Sequence, residues 1–130
     1  MLKEEVMPDW ILELSEQYER DYAKYEKKQS NELAAVLSNL DTYFTTLKKC
    51  GHPLQVKAGY IHDEPEGIKA IDQKGGKQKV KLEQTRLYVY PDTHTNTLHL
   101  LAIGNKSAQR DDIKLCRKLV GSIKGGDSNV

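Results

Sequence analysis

The stretch Thr85–Lys118, TRLYVYPDTHTNTLHLLAIGNKSAQRDDIKLCRK, decides the fold. Leu87-Tyr88-Val89-Tyr90 and Leu98-His99-Leu100-Leu101-Ala102-Ile103 are rich in the aliphatic and aromatic residues that pack on a pleated surface, and they flank Pro91, Asp92 and Asn96. That composition predicts two strands reversing through a turn. Gly104 is expected to end the second strand and Asp111 to open a helix. Between them lie Asn105, Lys106 and Ser107, with Arg86 near the start of the preceding strand. Cations held on rigid elements in this way suit a phosphate-binding surface.

Working outward, 130 residues fit one domain with a modest core. Residues 1–124 are expected to form it, and 125–130 to be a disordered tail. A hydrophobic share of 38% with 30% charged residues describes a soluble chain. No apolar run approaches the roughly 20 residues of a membrane span, so no membrane partner is expected. The segment MLKEEVMPDW is acidic where a secretory signal is basic, which makes a cytoplasmic setting the expectation. Cys50 and Cys116 lack ligand spacing and read as free thiols. Neither a metal nor a cofactor is expected.

Net charge is +1, yet it divides unevenly. Residues 1–65 carry 8 Lys+Arg against 12 Asp+Glu, a balance of −4, and residues 66–130 carry 12 against 7, a balance of +5. A basic C-terminal half is compatible with nucleic acid or an acidic partner, and equally with ordinary solvated faces.

The remaining elements follow from periodicity. Trp10–Leu14 reads as a short strand, and Ser15 as the N-cap of a helix running to about Lys28, with Tyr18, Tyr22 and Tyr25 on its packing face. From Asn31, residues Leu33, Val36, Leu37, Leu40, Tyr43, Phe44 and Leu47 recur at helical spacing. Lys48 and Lys49 suit the end of that helix dipole, and Gly51 and Pro53 stop it. A strand is expected over Leu54–Ile61, a turn over Asp63–Gly67 and a half-exposed strand over Gly67–Asp72. His62 belongs to that turn on this reading. Lys74–Lys79 reads as a flexible basic loop without P-loop spacing.

Taken together, these elements predict an α+β fold: a small antiparallel curved sheet with an N-terminal helical hairpin and a C-terminal helix. The helix pair, the Gly67-Ile68-Lys69 strand, the Thr85–Tyr90 strand and Leu98–Ser107 before a last helix resemble the RelE/ParE toxin superfamily of bacterial toxin–antitoxin systems. The resemblance spans roughly residues 10–120 and rests on element order and a few positions. It implies either a metal-free messenger-RNA endoribonuclease acting at the ribosome, or a non-enzymatic gyrase inhibitor. A RelE-fold binding module without toxicity is the third reading. Implied partners are a cognate antitoxin and RNA or the ribosome, with a homodimer among the oligomeric states.

Residue by residue, the resemblance places Arg86 at the family's phosphate-binding arginine and Lys106 near its second cation. Lys69 falls near the family's strand lysines, whereas the second member of that pair is Ile71 here. Lys79, Lys81 and Arg110 complete the expected RNA-binding set. The ribonuclease branch carries an aromatic or histidine acid/base group on its last helix, where this chain has Asp111, Asp112, Lys114 and Cys116. Cleavage needs a base for the 2′-hydroxyl proton, and His99 and Tyr88 are the chemically suitable substitutes on neighbouring strands.

Overall fold

A computed structural model of the chain describes residues 9–73 and 84–125. Its elements, in order, are β1 (Ile11–Leu14), α1 (Glu16–Lys28), α2 (Ser30–Cys50), β2 (Ile61–Asp63), β3 (Lys69–Asp72), β4 (Thr85–Asp92), β5 (Thr97–Asn105) and α3 (Gln109–Gly125). The fold is α+β, and its five strands lie in the order β1-β5-β4-β3-β2. The sheet is mixed rather than wholly antiparallel, because β1 pairs parallel to β5. The helical hairpin is therefore preceded by a strand, and the long crossover from β1 to β5 runs through it.

Local chemistry accounts for the helices. Ser15 Oγ accepts from the Tyr18 backbone N–H at 2.9 Å and caps α1. One residue, Gln29, separates α1 from α2, so the two helices fold back as a hairpin. α2 ends at Gly51, whose φ of 82° is the left-handed conformation that glycine adopts without steric cost. Val36 and Leu47 lose all solvent contact, and each such aliphatic side chain contributes about 1.5–3 kcal/mol of transfer free energy.

The sheet carries two cores. Leu87, Val89, Leu98, Leu100 and Ile103 meet Tyr18, Tyr25, Val36 and Tyr43 of the helical hairpin on one face. Ala70, Tyr88, Tyr90, Leu101 and Ala102 meet Cys116 and Val120 of α3 on the other. Strict alternation breaks at a β-bulge: Tyr88 opposes Ala102 and Val89 opposes Leu100, which leaves Leu101 as the extra residue. Leu101 and Ala102 both turn to α3 as a result.

Beyond the four residues that β1 covers, the edge of β5 is finished by side chains. Ser15 Oγ donates to the Leu101 carbonyl at 2.7 Å, and Asp21 Oδ2 accepts from the Ile103 N–H at 3.0 Å. Gln17 in turn donates to Asp21 Oδ1 at 2.9 Å. These bonds satisfy edge groups that would otherwise be unpaired.

Three further sequence expectations shift. The strand expected over Leu54–Ile61 is a 3₁₀ turn at Pro53–Gln55 followed by irregular chain, and the strand proper is Ile61–Asp63. Proline starts the turn, and His52 Nδ1 accepts from the Leu54 N–H at 3.1 Å, an arrangement that closes the chain locally. The last helix begins at Gln109 rather than Asp111, because Asn105 Oδ1 accepts from the Ala108 N–H at 3.0 Å and starts a 3₁₀ turn that leads into it. The second hairpin strand continues one residue past Gly104 to Asn105. The basic loop from Lys74, with Lys79 and Lys81, and residues 126–130 lie outside the described residues. Among the described residues, no helix is long and apolar enough to cross a membrane.

Candidate functional site

Pairing registers decide which chemistry-bearing residues meet. Arg86 faces Gly104 on β5 and Asp72 on β3. Cross-strand partners project to the same face of a sheet, with Cα atoms about 4.5–5.5 Å apart. Arg86 therefore lies on the α3 face, beside Asp72. His62 opposes Ala70, so it belongs to the same face and is the diagonal neighbour of Asp72. Its Nε2 stands 2.7 Å from Asp72 Oδ2.

The pair is asymmetric in its exposure: the His62 side chain keeps 34% of its surface and that of Asp72 6%. A carboxylate only accepts hydrogen bonds, so Nε2 is the donor in this contact, and in the neutral ring Nδ1 then carries the lone pair. Asp72 is itself held in place, since its carbonyl accepts from Asn39 Nδ2 at 2.7 Å and its N–H donates to the Tyr60 carbonyl at 2.9 Å. The result is a partly exposed imidazole oriented by a buried acid, the arrangement that serves a general base.

Glu64 completes the cluster. Its Oε2 is 4.0 Å from Arg86 Nη1, with both side chains about nine-tenths buried, and the buried Arg86 Nε has no hydrogen-bond partner among the described residues. The guanidinium charge is thus held largely inside the protein, beside its acidic neighbour. Lys106 is exposed at the same end of the sheet, where its N–H donates to the Gln84 carbonyl at 3.1 Å. It lines a surface hollow with Gln84, Asn105 and Ser107. Arg110 is exposed on the first turn of α3, beyond that hollow.

The other expected residues lie elsewhere. Tyr88 is on the Arg86 face but fully buried under α3, its hydroxyl lacks a partner among the described residues, and burial pushes its phenol well above the ordinary range. His99 opposes Tyr90 and stacks on it at 6.0 Å between ring centres. That position is four residues along β4 from Arg86, or about 14 Å at the usual rise per residue. Lys69 opposes Val89 and so faces the helical hairpin, across the sheet from Arg86. It donates to Asp63 instead, and that hydrogen bond holds the Asp63 carboxyl below its ordinary range. Arg86 and Lys106 lie at the same end of the sheet, Tyr88 is buried beside Arg86 and close enough to feel its charge, and His99 and Lys69 lie away from them.

Sequence reading missed His62, Glu64 and Asp72 as members of this site. The signal for Asp72 was present in the alternation of Ala70 and Asp72 on one face. His62 was masked by the misplaced strand before it. Among the described residues, no group of three or more His, Cys, Asp or Glu is arranged to hold a metal ion. No protein-family model matches the chain, and no curated protein or solved structure does so either.

Proposed function

We propose that the chain is a toxin-like protein of the RelE/ParE kind that acts on RNA by metal-free cleavage. The observation that carries this reading is the His62–Asp72 pair set beside Arg86 on one sheet face. It supplies the base that the closing helix lacks. The α+β order, with a helical hairpin behind one face and a single helix on the other, supports the same reading.

In the proposed reaction His62 Nδ1 takes the proton of a ribose 2′-hydroxyl, and the 2′-oxygen attacks the adjacent phosphorus. The P–O5′ bond breaks, water protonates the departing 5′-oxygen, and a 2′,3′-cyclic phosphate and a 5′-hydroxyl result. Arg86, about nine-tenths buried with its Nε inaccessible to solvent, acts through the positive charge it places beside the charge that develops on phosphorus rather than through an Nε–H bond. Exposed Lys106 and Arg110 hold the flanking phosphates. Asp72 keeps the imidazole in the productive tautomer and is a positioning residue.

Inducible expression with a growth readout and transcript-end mapping tests this. The parent is expected to arrest growth and leave 5′-hydroxyl ends, and Arg86→Ala and His62→Gln each to lose at least about 10² in cleavage. Arrest with intact transcripts and damaged DNA points instead to gyrase inhibition. Harmless expression of the parent points to a binding module.

A further inference from the structure

β1 lies at the margin of the sheet, and its outer side is left open among the described residues. The Ile11 N–H donates to the Asn96 carbonyl and the Ser15 N–H to the Leu100 carbonyl, both toward β5. By alternation, the N–H and C=O groups of Leu12 and Leu14 point away from the sheet. Edge strands are usually protected by lysine, proline, a bulge or a covering element. Here Ile11, Leu12 and Leu14 are 56%, 43% and 47% exposed. The next stretch of the same margin, along β5, is closed by Ser15 and Asp21, so the open part is four residues long.

The two faces of this edge differ in chemistry. Leu12 opposes Leu98 and Leu14 opposes Leu100, which places both on the helical-hairpin side, where Leu14 lines a hollow with Tyr18, Glu19 and Tyr22. Glu13 opposes His99 and faces the α3 side. Residues 9–19 contain Asp9, Glu13, Glu16 and Glu19 and no Lys, Arg or His.

We propose that β1 takes up an extended segment of a partner protein as a sixth strand, and that this segment alternates apolar and basic residues. Its backbone would pair with Leu12 and Leu14, its apolar side chains would lie along Leu12, Leu14 and Tyr22, and its basic ones would meet Glu13. Charge complementarity selects this occupant. A second copy would bring Glu13 and the acidic start of α1 against their own equivalents, and like charges facing across strands are unfavourable.

The test uses the full chain and two fluorescein-labelled ten-residue peptides, one alternating valine with lysine and one alternating valine with glutamate. The valine–lysine peptide is expected to bind, with the glutamate peptide at least about tenfold weaker. Leu12→Pro removes the outward N–H and leaves the pairing with β5 intact, since proline is tolerated where an edge N–H faces solvent. It should weaken the peptide about tenfold or more while keeping the circular dichroism of the parent. If that variant fails to fold, amide exchange of the parent decides: bound peptide should slow exchange at Leu12 and Leu14, and at Ile11 and Glu13 far less. Absence of binding at about 1 mM peptide, a weak-affinity ceiling, overturns the proposal. So do equal binding of both peptides, unchanged exchange at Leu12 and Leu14, or a concentration-dependent dimer that Leu12→Pro abolishes.

Discussion

Asp112 offers a quantitative test of how α3 sits on the sheet. It lies in the first turn of α3, and its Oδ2 is buried without a hydrogen-bond partner among the described residues. A Cβ built on Gly104 would come 1.8 Å from that oxygen, so the carboxyl rests directly on the β5 backbone. Burial, and then the negative charges of Asp21 and Asp111, raise its pKa from 3.8 to about 6. The undiscounted shift corresponds to roughly 3 kcal/mol. Solvent still reaches part of the residue, and the helix N-terminus favours a carboxylate by about 0.3–1 kcal/mol, so a net penalty of about 1–2 kcal/mol is the reasonable figure. The folded state binds this proton more tightly than the unfolded chain. Its contribution is therefore complete below the ordinary pKa of 3.8 and lost as pH rises through about 6. Asp112→Asn keeps the shape and removes the charge, so it should stabilise the protein by about 1–2 kcal/mol at pH 7.5. Near pH 4 the gain should largely vanish. Urea unfolding at both pH values measures it, with a midpoint shift of about 1 M expected at pH 7.5. An equal effect at both pH values, or destabilisation at pH 7.5, would refute a buried, uncompensated Asp112.

Two further substitutions probe neighbouring contacts. Gly104→Ala drives a methyl into the Asp112 carboxyl and should cost about 1–3 kcal/mol in the same unfolding assay, with Asp112→Ala restoring most of it. Ser15→Ala removes both the α1 cap and the bond to the Leu101 carbonyl, and a loss of about 1–2 kcal/mol is expected with no change in the pH dependence.

Local signals were readable in the sequence, and non-local pairings were not. The Ser15 cap, the Gly51 stop and the β4–β5 hairpin each depend on residues a few positions apart, and each occurs where propensity and periodicity place it. The parallel pairing of Ile11–Leu14 with Thr97–Leu100 joins segments on either side of the whole helical hairpin, and no local pattern encodes it. Lys69 shows why a residue type at the expected place in a strand is insufficient. Its face follows from opposition to Val89, and a slip of one residue would have turned it toward Arg86. His62 and Asp72 meet because β2 is only three residues long and pairs tightly back on β3, a register hidden once the strand was expected over Leu54–Ile61.

The proposed strand-docking edge is one margin of the sheet, whereas the proposed RNA site runs from the central strand β4, with Arg86, to His62 on the opposite margin. Among the described residues β1 and β2 are the outermost strands, four spacings apart, or about 19 Å at the usual distance between neighbours. A strand added to β1 extends the sheet away from His62 and Arg86 and does not cover them. An occupant of that edge can therefore tether or localise the protein while leaving the proposed RNA site uncovered. Because β5 lies directly beside β1 and carries the Tyr90–His99 stack opposite β4, His99 is better placed to sense edge occupancy than to take part in catalysis. A peptide at β1 should accordingly perturb the His99 ring resonances and leave those of His62 in place.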